Sequence, residues 1–264
     1  MLVLLFKIKG LWKYFLFIFA AIQKYSMLTF FAPLLFVKGR YRLCIISFCG
    51  FLLGSMSPAL FGVDLVRLYK DYVCELSGQV RSGFNTYQGS GYNMMQLEFF
   101  KLNAINIILK AAFVLLFLYV TAKEWKKSKF NLNLLMFVFC CSMLVAYHRV
   151  YDLGLVNALV AVKFVYMIKR KDFINAGIAA LLMLFFLIPQ TIYFHMCRII
   201  GKLPLDGLVY YSDYYLGINR MFPLMPFVVI FMTLWSWYLY RFTDADFEFE
   251  GTDYVEETQT TTAG

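Results

Sequence analysis

Apolar residues run in long unbroken stretches along most of this chain, and polar residues gather in short breaks between them. The runs do not alternate residue by residue, so they read as helices rather than strands. Roughly 20 apolar residues are needed for a helix to cross the hydrocarbon of a bilayer, where every backbone N–H and C=O must be paired internally. On that basis the runs predict about eight membrane helices, at 12–23, 26–37, 43–63, 103–121, 130–147, 152–168, 173–196 and 221–240. The first two are short and meet at Lys24 and Tyr25; they are either tilted crossings or a re-entrant pair. The expected fold class is all-α, a polytopic transmembrane helical bundle.

The breaks carry the orientation signal. Lys38, Arg40 and Arg42 fill one; Lys123, Lys126, Lys127 and Lys129 another; Lys169, Arg170 and Lys171 a third; and Lys7, Lys9 and Lys13 flank the first segment. These breaks fall on one side of the alternating spans, which the positive-inside rule makes cytoplasmic. With the short pair counted as two crossings, both termini are cytoplasmic, as in a protein of the bacterial inner membrane. The outer side receives the corner at 24–26, a long loop at 64–101, a tight corner at 147–152 and a loop at 198–220. The stretch 81–93 is rich in Gly, Asn, Tyr and Gln and favours turns, while 66–72 and 94–100 read as interfacial helices. Residues 1–242 thus form one membrane domain. The acidic, Thr-rich tail at 243–264 reads as disordered and cytoplasmic.

Composition agrees. The chain is 61% hydrophobic and 16% charged, against about 25% charged in soluble domains. A net charge of +9 would suit a nucleic-acid binder, but the basic residues sit at the ends of apolar runs, and the hydrophobicity excludes a soluble one. The lysines and apolar stretch at 1–22 have the makings of a secretory signal. The apolar pattern continues without a clear cleavage site, so a first membrane segment is the preferred reading. Cys44, Cys49, Cys140, Cys141 and Cys197 lie in or beside apolar runs and Cys74 in a loop, which suits free thiols packed as small hydrophobes. There is no Cys/His metal spacing, phosphate-binding loop, dinucleotide fingerprint or hydrolase triad order, so neither a metal nor a cofactor is expected.

The densest chemistry is at Tyr147-His148-Arg149-Val150-Tyr151-Asp152, between two apolar runs. One reading is a polar corner at the membrane surface, with tyrosines in the aromatic belt and Arg149 reaching for headgroups. The other is a site for an anionic headgroup, in which Arg149 grips a phosphate bidentately, His148 donates a proton and Asp152 orients them. Lys24 lies on the same expected side, as a snorkelling lysine or a second phosphate cation. Arg198, Lys202 and Arg220 add positive charge to that face, against the orientation rule. Asn85, Tyr87, Gln88 and Tyr92 could meet sugar hydroxyls, or form an ordinary wet loop. Lys110 and Lys163 fall inside expected spans, where each either faces a cavity or marks a span boundary. Pro189 should kink its helix, and Pro223 and Pro226 loosen the start of the last.

The His-Arg corner resembles that of family 87 glycosyltransferases, polytopic enzymes of the C-type superfamily that include polyprenol-phosphate-mannose-dependent mannosyltransferases. A second similarity is Gln23-Lys24-Tyr25-Ser26, followed by an apolar run and Lys38-Gly39-Arg40-Tyr41-Arg42. Family members often carry Lys-Pro-Gln at the first of these; here Tyr25 and Ser26 stand in place of the Pro and Gln. The order from Lys24 through Phe61-Gly62 and the long outer loop to the corner is also similar. The resemblance covers most of this chain, but only the C-terminal half of a family member. It implies a hexosyltransferase part or subunit taking a mannose-like sugar from a polyprenyl-phosphate donor at the outer membrane face. Lys24, His148 and Arg149 would bind the donor phosphate, supported by Tyr147, Tyr151 and Asp152, with Asn85, Arg198 and Arg220 as outer-face contacts. The family's catalytic base is an acidic residue on its first outer loop, which an N-terminal partner chain or segment would supply here. The implied partners are membrane lipids and the lipid-linked sugar. The alternative is a non-catalytic membrane scaffold, lipid-binding or transporter-like subunit. It needs the same spans without sugar chemistry.

Overall fold

In a computed structural model of the chain, the described residues are 12–23, 25–81, 100–125, 129–146, 153–208, 211–213, 218–222, 224–242 and 248–250. Helices dominate: α1 (Trp12–Gln23), α2 (Tyr25–Val37), α3 (Tyr41–Met56), α4 (Leu65–Arg81), α5 (Asn103–Lys123), α6 (Leu132–Val145), α7 (Leu153–Lys169), α8 (Phe173–Leu187), α9 (Gln190–Gly201) and α10 (Leu224–Phe242). Four short strands accompany them: β1 (Lys129–Asn131), β2 (Tyr211–Asp213), β3 (Ile218–Met221) and β4 (Glu248–Glu250). They pair antiparallel, β1 with β4 and β2 with β3.

Among the described residues, three helices are long and apolar enough to cross a membrane: Tyr41–Phe61, Asn103–Lys123 and Leu224–Phe242. The bent pair α8–α9 makes a fourth if it is counted as one span. The first of these is α3 extended by a 3-10 turn, Ser57–Phe61. Their side chains carry many exposed large apolar groups, including Leu53, Leu60, Ile107, Ile108 and Leu115. Such surface is unfavourable in water and favourable against acyl chains. Their length and apolar surface suit them to a bilayer.

The expected run at 173–196 is not one straight rod. Ile188 takes φ −59° and ψ 126°, the extended conformation imposed on a residue that precedes proline. Pro189 then opens α9, and the chain turns by 101°. In the stretch 64–101 the expected helix at 66–72 is α4, which runs on to Arg81. The expected helix at 94–100 lies outside the described residues except for Phe100, which bridges Leu208. In the tail, β4 pairs with β1 and sets Glu250 opposite Lys129.

The chain divides into two compact units. The first comprises Met1–Leu76, Phe113–Ser142 and Thr233–Gly264. Here α1 packs along α3 and approaches closely at Gly50, where a Cβ would sit 2.6 Å from Ile18 Cδ1. From α2, Phe30, Phe31, Leu34 and Leu35 are buried, and the Phe30 ring centre lies 5.0 Å from that of Phe117 on α5.

The second unit comprises Ser77–Ala112 and Met143–Met232. Its centre is the antiparallel hairpin of α7 and α8. The turn between them closes by two bonds, Lys171 N–H to the Ile168 carbonyl and Asp172 N–H to the Met167 carbonyl. That is a Schellman stop, with Lys171 in the left-handed slot at φ 60°. Asp172 then caps α8, its Oδ1 accepting from the Asn175 N–H. Ala176 and Ala179 lie on the buried stripe of α8, where small side chains let helices approach closely.

Candidate functional site

The structure brackets the His-Arg corner without describing it. Helix α6 ends at Val145 and α7 begins at Leu153, and the corner falls between them in the sequence. Tyr147, His148, Arg149, Tyr151 and Asp152 all lie outside the described residues, as do Lys24 and Asn85. What is described is the support on one side of it. From Leu132 to Leu144, α6 is buried at every residue, including Asn133 and Ser142.

Two of the expected outer-face cations fall on neighbouring elements. Arg198 is exposed on α9, and Arg220 belongs to β3. The strand packs beside the helix, and the Phe222 N–H donates to the Cys197 carbonyl at 3.0 Å. The loop read as 198–220 therefore starts as helix, which runs to Gly201, and returns as a β-hairpin. Close by, the Lys101 N–H donates to the Gly207 carbonyl, and Asn106 binds both backbone groups of Phe100 through its side-chain amide.

Of the two lysines expected inside spans, Lys163 is fully buried on the stripe Val156, Val160, Lys163 and Met167 of α7, while Lys110 is half-buried. The stripe spacing turns Lys163 inward rather than out to lipid.

A polar cluster that sequence reasoning passed over joins three helix ends in the first unit. Lys38 follows α2, Glu124 follows α5 and Tyr240 lies in the last turn of α10. Lys38 Nζ lies 2.5 Å from Glu124 Oε2, and the two side chains are 0% and 3% exposed. The Tyr240 hydroxyl donates to the other carboxylate oxygen, Oε1. Local geometry sets Lys38 in place. The Gly39 N–H bonds to the Phe36 carbonyl and the Arg40 N–H to the Leu35 carbonyl, a Schellman stop with Gly39 at φ 74°. Arg40 is also buried, as is Thr121 one turn before Glu124. The signal available in the sequence was Glu124 itself, an acid inside a run of lysines. The cluster is an acid–base clamp: each carboxylate oxygen is engaged, and the Lys38 and Glu124 side chains are shut off from the surface.

Among the described residues no group of His, Cys, Asp and Glu is placed to hold a metal, and Cys44, Cys49, Cys74, Cys140, Cys141 and Cys197 are not in disulfides. No family model, curated protein or solved structure matches this chain.

Proposed function

We propose that this chain is the C-terminal part or a subunit of a membrane hexosyltransferase that takes its sugar from a polyprenyl-phosphate donor. The observation that carries the proposal is the Tyr147-His148-Arg149-Val150-Tyr151-Asp152 sequence, placed between a buried helix and the start of α7. A helix start offers free N–H groups and the positive end of the helix dipole, which favours a phosphate there. In this reading Arg149, His148 and Lys24 neutralise the charge that develops on the leaving phosphate, and Asp152 orients them. Placing such charges in a water-poor site is an effective way to lower a barrier of this kind. Tyr147 and Tyr151 flank the headgroup, and Asn85, Arg198 and Arg220 meet it from the outer loops. The catalytic base comes from an N-terminal segment or partner chain.

The same reading orders the membrane segments. The ends of α2, α5 and α10 that meet at Glu124 face the cytoplasm, and the corner faces out. About eight segments then cross or enter the bilayer, with α1 and α2 a short pair and both termini inside, as in a bacterial inner-membrane protein. Support comes from the cluster, because it gathers three helix ends that the distribution of basic residues puts on one side.

The test is binding of a polyprenyl-phosphate hexose to the purified chain in detergent, compared with folded His148→Ala and Arg149→Ala variants. Saturable binding that falls at least about tenfold in Arg149→Ala is expected, since a charge-assisted bidentate contact is lost. Binding that is absent, or untouched by both changes, would return the corner to a surface anchor and the chain to a non-catalytic membrane scaffold.

A further inference from the structure

The segment that leaves the first long span has a surface of its own. The span ends in the 3-10 turn, and Gly62 stops it at φ 75°, with the Gly62 N–H bonded to the Ala59 carbonyl and the Val63 N–H to the Pro58 carbonyl. Asp64 then starts α4, its Oδ1 accepting from the Val66 and Arg67 N–H groups at 2.9 and 3.2 Å.

Spaced at 100° per residue, the first turns of α4 are two-faced. Leu65, Val66, Leu68, Tyr69, Tyr72 and Val73 fall on one side. Arg67, Lys70, Asp71 and Cys74 fall on the other, where Arg67 and Asp71 form a surface pair at 3.8 Å. The apolar side is not covered by protein: Val66 is 79% exposed and Val73 61%.

The direction of that face is fixed by one bond. The Tyr69 hydroxyl donates to the Ser55 carbonyl at 2.5 Å, across 14 residues. In one straight helix those residues would be about 21 Å apart, beyond the reach of a tyrosine. The chain has therefore folded over at Gly62. Tyr69 is central on the apolar face, and Ser55 lies inside the span Tyr41–Phe61. The face thus points toward membrane depth, continuous with the exposed Leu60 and Phe61 at the end of that span.

We infer that α4 lies in the membrane surface, with Val66, Tyr69, Tyr72 and Val73 on the acyl-chain boundary and Arg67, Lys70, Asp71 and Cys74 in water. The occupant of the face is the lipid surface into which the preceding span already runs. Lys70 borders the apolar arc, where its stem can lie on lipid while its ammonium reaches headgroups.

Peptide-resolved thiol labelling tests this. The full chain, in freeze-thawed liposomes, is treated with a sulfonated water-soluble maleimide, and each rate is divided by that of the same site in denaturant. Native Cys74 reports the polar face, and Val73→Cys combined with Cys74→Ser reports the apolar one; both sit in the tryptic peptide 71–81. Cys74 is expected to label freely and Val73→Cys at least about tenfold more slowly, since a charged reagent is excluded from the acyl boundary. Val66→Cys is the second reporter on the apolar face and should behave as Val73→Cys does. Equal rates on the two faces would put the helix in water and overturn the inference. Protection of both faces would bury the helix in protein and overturn it equally. Protection of Val73→Cys in native membranes but not in liposomes of the purified chain would give the face to a protein partner, and would also overturn it.

Discussion

Replacing Glu124 by alanine should be among the most damaging single changes in this protein. The substitution removes the carboxylate that Lys38 and Tyr240 share, in a place where the Lys38 side chain is 0% exposed. Attraction within such a pair is offset by the cost of taking both charges out of water, so the pair itself contributes little net stability. Breaking it from one side is different, because the ammonium keeps its desolvation cost and loses this acceptor. The expected cost is about 3–5 kcal/mol. Tyr240→Phe removes one hydrogen bond to a charged group, at about 1.5–3 kcal/mol. In a Tyr240→Phe background, which has no hydroxyl left to satisfy, Lys38→Met together with Glu124→Leu removes both charges and should cost no more than about 1 kcal/mol. The assay is reversible unfolding in mixed micelles by SDS titration, with all four combinations at Lys38 and Glu124 forming a double-mutant cycle. Single losses of under about 0.5 kcal/mol would refute the claim that the pair is desolvated. A double variant as unstable as the sum of the singles would refute charge pairing as the cause and leave packing in its place.

Gly50→Ala should destabilise the α1–α3 contact by about 1–3 kcal/mol, because the new methyl overlaps Ile18, and Ile18→Ala should recover part of that loss in the same unfolding assay. Lys171→Gly should raise stability by about 0.5–1 kcal/mol, since Lys171 holds a left-handed conformation that glycine adopts without strain; a lower unfolding midpoint would refute this.

Much of the helical frame was legible because its signals are local. The apolar runs place α3, α5, α7 and α10 to within a few residues. Among the described residues, glycine marks the Schellman stops at Gly39 and Gly62, while the one at Lys171 carries no such mark. Helix α4 extends past residue 72 because Leu76 and Val80 continue its apolar spacing, a period-of-3.6 pattern easily lost in a loop rich in charge. The break at Pro189 was visible as a kink, but its angle depends on how α9 packs against β3, a tertiary contact. The polar cluster was hidden for the same reason. Lys38 and Lys123 read locally as orientation signals, and nothing near Glu124 shows that a lysine 86 residues earlier buries itself against it. The corner at 147–152 remains a reading of sequence, since the described residues reach it from both sides and stop.

The clamp at Glu124 also imposes an order in time. Lys38 precedes its partner by 86 residues, and Glu124 precedes Tyr240 by 116. At a synthesis rate of about 5–20 residues per second, Lys38 waits about 4–17 s for the carboxylate, and the carboxylate a further 6–23 s or so for the tyrosine. During the first interval the lysine lacks the carboxylate that accepts it in the folded chain, so its side chain cannot take its final buried position. The second interval ends only when α10 has emerged, so the first unit is completed after every residue of the second has been made.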